Sequence, residues 1–126
     1  MIANILLVDD DADDQLFFLD AVSAIDKSVH CDIACNGLEA MMRLNSASLP
    51  GVIFLDLNMP KMNGFECLQQ IKTSETLKEI PVIIFTTTNN PKEAERSRSL
   101  GAAQFLTKTT DFRKLKLQLG EILQTI

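Results

Sequence analysis

Three runs of uninterrupted apolar residues, ILLV (5–8), VIFL (52–55) and VIIF (82–85), constrain this chain more than any other feature. A strand with one wet face alternates apolar and polar residues, whereas a strand covered on both faces by helices need not. These runs therefore predict central, parallel strands, seen in full as NILLV (4–8), VIFL (52–55) and PVIIF (81–85). Two further runs, HCDIA (30–34) and AAQFL (102–106), bring the expected strands to five.

Helix-like segments separate them. Phe18, Leu19, Val22 and Ile25 form one apolar stripe, Ala40, Met41 and Leu44 a second, and Phe65, Leu68 and Ile71 a third. The final segment opens on a predicted N-cap, Asp111, and places Phe112, Leu115, Leu119 and Ile122 on one face. The segment after Pro91, KEAERSRS, offers only Ala94 and Leu100 as apolar contacts, which predicts a lightly anchored and more mobile helix. Alternating β and α elements of these lengths predict a doubly wound α/β sheet with right-handed crossovers and helices on both faces.

With 126 residues, of which 46% are hydrophobic, the chain can bury one sizeable core, and residues 1–126 are expected to form a single domain without a repeat, linker or attached effector domain. No stretch approaches the roughly 18 apolar residues of a membrane span. The opening MIANILLVDDD lacks the basic region and cleavage site of a signal peptide, so a cytoplasmic protein without membrane contact is expected. Cys31, Cys35 and Cys67 form no CxxC pair, and with His30 as the sole histidine they predict neither a disulfide framework nor a zinc site, only packing residues. Met41 and Met42 are read as packing residues too. A formal charge of -5 argues against a nucleic-acid surface. Acidic residues crowd the start (Asp9, Asp10, Asp11, Asp13, Asp14, Asp20), while Lys92, Arg96, Arg98, Lys108, Arg113, Lys114 and Lys116 gather in the last third, which predicts two differently charged faces.

In an open parallel sheet, ligands bind beyond the carboxyl ends of the strands. The first strand ends in Asp9, Asp10 and Asp11, the third in Asp56, the fourth in Thr86, Thr87 and Thr88, and the fifth in Thr107 and Lys108. Gathered carboxylates repel one another unless a cation neutralises them. A hard divalent ion such as Mg²⁺, held by Asp9, Asp10 and Asp56, is the natural partner. Lys108 and a hydroxyl nearby could then hold phosphoryl oxygens, with Asp56 as the candidate nucleophile.

These residues carry a family resemblance. In ILLVDDD (5–11), VIFLDLNMPKMNG (52–64), PVIIFTT (81–87) and GAAQFLTK (101–108), in that order and spacing, the chain resembles the receiver domain of two-component response regulators, in its stand-alone, CheY-like form. The resemblance covers almost the whole chain. It implies a flavodoxin-like sheet of five parallel strands in the order 2-1-3-4-5 with five helices. By the same resemblance Asp56 is the phosphoacceptor, Asp10 a direct Mg²⁺ ligand, Asp9 a ligand through water, and Asn58 a ligand through its backbone carbonyl. Thr86 and Lys108 should bind phosphoryl oxygens with help from the amide of Thr87, and Phe105 should switch rotamer together with Thr86.

Implied partners are a sensor histidine kinase or a histidine phosphotransfer protein, and a downstream protein bound on the face formed by the helix after Pro91, the last strand and the final helix. The state implied is a monomer or a phosphorylation-linked homodimer. The role is a switch that assists its own phosphorylation and dephosphorylation rather than an enzyme, with phosphorelay intermediate or phosphate sink as alternatives. One position departs from the family pattern: receivers usually carry Pro after the lysine, often with a cis peptide bond, and here Thr109 follows Lys108, leaving cis and trans both open.

Simpler readings exist for each motif. Asp9–Asp11 could be a strand end or helix cap, and Asp11 could be a cap alone. An EF-hand reading of Asp9, Asp11 and Asp13 fails, because Asp14 stands where Gly and Asp20 where Glu are required. Asp56 by itself could be a turn former, Thr88 a loop-lining residue, Phe105 a core residue, and Leu117 an ordinary exposed leucine. A phosphohydrolase of the haloacid-dehalogenase type would need D-x-D after the strand, but Asp56 is followed by Leu57 and Asn58. A flavin module is disfavoured by the absence of Trp and Tyr.

Overall fold

The computed structural model describes residues 2–45 and 48–126, so Met1, at the head of the opening segment read above, lies outside the described residues. Five strands, β1 (Asn4–Val8), β2 (His30–Ala34), β3 (Val52–Leu55), β4 (Val82–Thr86) and β5 (Gln104–Thr107), alternate with five helices. These are α1 (Ala12–Ile25), α2 (Gly37–Leu44), α3 (Gly64–Thr73), α4 (Pro91–Ser99) and α5 (Phe112–Thr125). All strand pairs are parallel and the order is β2-β1-β3-β4-β5. The three uninterrupted apolar runs are thus the three central strands, as double coverage requires.

Alternate residues of those strands feed two separate cores. Leu6, Val8, Ile53, Leu55, Val82 and Ile84 face α2 and α3, packing on Ala40, Leu44, Cys67, Leu68 and Ile71. Ile5, Leu7, Val52, Phe54, Ile83 and Phe85 face α1 and α5, packing on Phe18, Val22, Leu115, Leu119 and Ile122. Phe18 meets the Phe54 ring edge-on at 5.0 Å, a geometry that adds to the burial of both rings. Because a strand's side chains alternate faces, one apolar run supplies both layers.

Helix starts follow from local chemistry. Asp11, Asn36, Asn63, Asn90 and Asp111 each accept a backbone N–H of the first turn, and Asn63 with Glu66 completes a capping box. Asp11 and Asp111 are therefore caps, as their positions suggest. Helix α4 buries only Ser97 among its nine residues, and Leu100 is partly buried behind it. This is the shallow seating that KEAERSRS predicts.

Three expectations need correction. Met42 is not a packing residue: it is 68% exposed, because its neighbours Met41 and Leu44 take the inward positions of α2. Cys35 is exposed as well, lying past the end of β2. The fifth strand starts at Gln104 rather than Ala102, because Gly101 adopts a positive φ of 106° and the chain turns there before pairing with β4. No helix among the described residues is long and apolar enough to cross a membrane.

Candidate functional site

The sheet's register draws the polar residues together. The amide of Asp56 donates to the carbonyl of Val8 at 3.0 Å, which sets Asp56 beside Asp9 at the adjacent ends of β3 and β1. Thr86 pairs with Thr107 in register, and the Lys108 amide donates to the Thr86 carbonyl at 2.7 Å. Behind Asp56 the chain turns so tightly into α3 that a β-carbon on Gly64 would collide with the Asp56 carbonyl oxygen and lie 2.5 Å from the Leu57 α-carbon. Glycine is needed here for that close approach.

One carboxylate oxygen each from Asp9, Asp10 and Asp56 lies within 4.8 Å of the others. Asp9 and Asp56 are buried and Asp10 is exposed at the rim. The Lys108 ammonium enters this group: Nζ donates to Asp56 Oδ2 at 3.0 Å and to Asp14 Oδ2 at 2.8 Å. It also stands 2.8 Å from Asp9 Oδ2, but outside hydrogen-bonding geometry, so that contact is electrostatic and leaves the oxygen without a hydrogen bond. Asp9 Oδ1 accepts the Asp11 amide at 2.9 Å, and the Gln15 side chain donates to the Asp9 carbonyl at 2.7 Å.

The charge balance is asymmetric. Burial pushes the Asp9 carboxyl above its ordinary range, and Lys108 and the Asp11 amide only partly offset it. Burial would lower Lys108, but its contacts with Asp14 and Asp9 and the charge of Asp56 outweigh that and hold the ammonium above the usual lysine range. Lys108 is thus a permanent cation lodged among carboxylates.

The remaining predicted residues surround this centre. Asn58 is exposed on the loop after Asp56 and donates its amide to Asp56 Oδ1 at 3.3 Å. Thr86 is fully buried, and its Oγ1 has no hydrogen-bond partner among the described residues. Thr87 is exposed at the end of β4. Thr88 lines the loop as expected, its hydroxyl accepting from the Asn90 amide at 3.2 Å. Phe105 pairs with Ile84 in register and packs, partly buried, against the core on the α2–α3 side. No described peptide bond is cis, so the Lys108–Thr109 bond is trans. In the sequence Asp14 is visible only as one acidic charge among many; its position in the first turn of α1 is what aims it at Lys108.

This donor set fits a hard divalent cation. All its donors are oxygens, three are carboxylates, and a buried Asp9 oxygen lacks a hydrogen bond.

Fold and site together define a doubly wound α/β domain with one acidic, lysine-containing pocket at the carboxyl edge of its sheet. The family profile of the response regulator receiver domain matches residues 5–119, and the chain belongs to that family, the receiver modules of two-component signalling. Response regulator Rcp1 of Synechocystis is 33% identical over 88% of this chain and 80% of its own length. The probable methanogenesis regulatory protein FilR2 of Methanothrix harundinacea is 41% identical over 60% of this chain, a match spanning about half (48%) of that protein's length. Among solved structures, the phosphorylated cyanobacterial phytochrome response regulator RcpA covers 97% of this chain and 91% of its own, with a TM-score of 0.88 and 31% identity. The Mn²⁺-bound form of Rcp1 covers 98% of this chain and 96% of its own, with a TM-score of 0.84 and 34% identity.

Proposed function

We propose that Asp56 is the phosphoacceptor of a Mg²⁺-dependent receiver that occupies residues 1–126 as a single domain in the cytoplasm. The observation that carries this reading is the convergence on Asp56 of Asp9, Asp10 and Lys108. Two relatives support it by their described states, one phosphorylated and one bound to Mn²⁺.

An Asp56 carboxylate oxygen attacks the phosphorus of a phosphohistidine on a sensor kinase or phosphotransfer protein. The new O–P bond forms as the P–N bond breaks, and the donor imidazole keeps the electron pair and takes up a proton. Asp9, Asp10, Asp56 and the Asn58 carbonyl would hold the Mg²⁺ ion, which when bound would supply charge neutralisation for the phosphoryl oxygens. Lys108 contributes a fixed positive charge on the same side, and the Thr86 hydroxyl and Thr87 amide donate to the remaining oxygens. Thr86 Oγ1 gains there the partner it otherwise lacks.

The dianion so formed favours the conformation in which Thr86 and Phe105 move inward. The response is read on the face of α4, β5 and α5 by a downstream protein or a second copy of the chain, where shallow seating of α4 keeps rearrangement cheap. Acetyl phosphate with Mg²⁺ tests the assignment: the wild-type chain should gain one phosphoryl mass and Asp56→Ala none. An Asp56→Ala chain that still gained it would remove Asp56 from this role. A pull-down with and without beryllofluoride would separate an output partner from a relay partner.

A further inference from the structure

Of the three carboxylates that meet Lys108, Asp14 alone has no part in the scheme above. Nζ of Lys108 carries three protons and meets three carboxylates: Asp9 and Asp14 at 2.8 Å, Asp56 at 3.0 Å. The three partners differ in kind. Asp9 and Asp56 are buried and belong to the cation site, whereas Asp14 is 40% exposed and reaches in from the first turns of α1. Its contact spans 94 residues of sequence and joins α1 to the end of an edge strand.

Lys108 needs such a partner. A lysine side chain loses considerable rotamer freedom when its flexible four-carbon stem is fixed. Lys108 stands at the last turn-off of β5, followed by a short connection whose Asp111 amide bonds only locally, to Thr109 Oγ1 at 3.1 Å. The ammonium donates directional hydrogen bonds to Asp14 and Asp56, and faces Asp9 Oδ2 at 2.8 Å as a charge. When Asp56 becomes an acyl phosphate, its carboxylate is altered, whereas the bond from Lys108 to Asp14 lies outside the reacting group and can persist unchanged.

We propose that Asp14 is a positioning residue for phosphoryl transfer: it anchors the Lys108 ammonium beside Asp56 so that the charge is in place before and after the phosphoryl group arrives. This rests on the assignment of Asp56 as phosphoacceptor for its consequence in transfer, but the anchoring itself is a property of the metal-free chain.

Two arms test it. In metal-free protein, ¹³C relaxation at the Lys108 ε-methylene should report a rigid side chain in wild type and a mobile one in Asp14→Ala, with Asp14→Asn, which keeps an acceptor, in between. In the second arm, the rate of phosphorylation by acetyl phosphate with Mg²⁺ should fall about tenfold in Asp14→Ala and less in Asp14→Asn. The same Asp14→Ala change in a Lys108→Ala background should change nothing, because a positioning residue has no effect without the group it positions. A rigid Lys108 in Asp14→Ala, an unchanged or faster rate, or an equal fall in the Lys108→Ala background would each overturn the proposal. A wild-type chain that is not phosphorylated would instead overturn the assignment of Asp56, while the relaxation arm would still decide the role of Asp14.

Discussion

Nζ of Lys108 lies 3.0 Å from Oδ2 of Asp56, although the two residues are 52 apart in the sequence. The lysine side chain is only 9% exposed, so the pair is held inside the carboxyl edge of the sheet rather than on its surface. Removing the cation strands buried carboxylates. In metal-free protein, Lys108→Ala should therefore lose stability on the order of 3 kcal/mol in urea denaturation. Adding Mg²⁺ at about one hundred times its Kd should raise wild-type stability by about 2.7 kcal/mol, and EDTA should reverse the gain. A Lys108→Ala chain as stable as wild type in EDTA would show that the ion pair does not hold the site together.

Thr86 offers the opposite sign. Its hydroxyl is buried without a hydrogen bond, and an unsatisfied buried group of this kind costs about 1–3 kcal/mol. The near-isosteric Thr86→Val should leave the metal-free fold at least as stable as wild type, by thermal or urea denaturation. Affinity for beryllofluoride with Mg²⁺ should nevertheless fall about tenfold, because the hydroxyl is lost where a phosphoryl oxygen would use it. Loss of stability together with unchanged beryllofluoride affinity would contradict both halves.

Gly64 bears on the site through the backbone. A methyl group there meets the Asp56 carbonyl oxygen and the Leu57 α-carbon, atoms of main chain that cannot swing aside. Gly64→Ala should cost about 1–3 kcal/mol in chemical denaturation and should also weaken Mg²⁺ binding by displacing Asp56. A control at Gly120, where an added β-carbon meets nothing within 4 Å, should be neutral or slightly stabilising, since alanine suits a helix better.

The cysteines separate by exposure. Burial pushes the Cys67 thiol up to about 12, and burial with the nearby Asp32 charge does the same for Cys31, whereas Cys35 is exposed. Native-state iodoacetamide labelling at pH 8 should therefore modify Cys35 first, because only about one in ten thousand of a thiol with that pKa is thiolate. The sign for stability follows from linkage. Cys67 ionises at a higher pH folded than unfolded, so its contribution is complete below the ordinary value of 9.0 and is lost as pH rises towards about 12. Replacing Cys67 with Ala should flatten the alkaline limb of the stability curve. Equal labelling of all three cysteines in folded protein would contradict the assignment of burial.

Periodicity made the layers readable: ILLV, VIFL and VIIF are apolar at every position because β1, β3 and β4 are covered on both faces, and the positions that follow them form the site. Caps were legible for the same local reason, since Asp11 and Asp111 bond only three residues ahead. Less legible was anything depending on which way a helix turns. Met42 and Met41 are adjacent and chemically identical, yet one is exposed and the other packs inward, a difference set by the rotation of α2 against the sheet.

What the amino-acid sequence determined by itself was the order of elements, the parallel sheet, and the strand ends that bear Asp9, Asp10, Asp56, Thr86 and Lys108, because hydrophobic period and turn chemistry are local properties. Tertiary structure alone decided how those groups share charge. The trans peptide after Lys108, the unpartnered Thr86 hydroxyl and the contact of Asp14 with Lys108 across 94 residues depend on strand register and helix docking. Distance and desolvation govern such interactions, and neither is written in spacing along the chain.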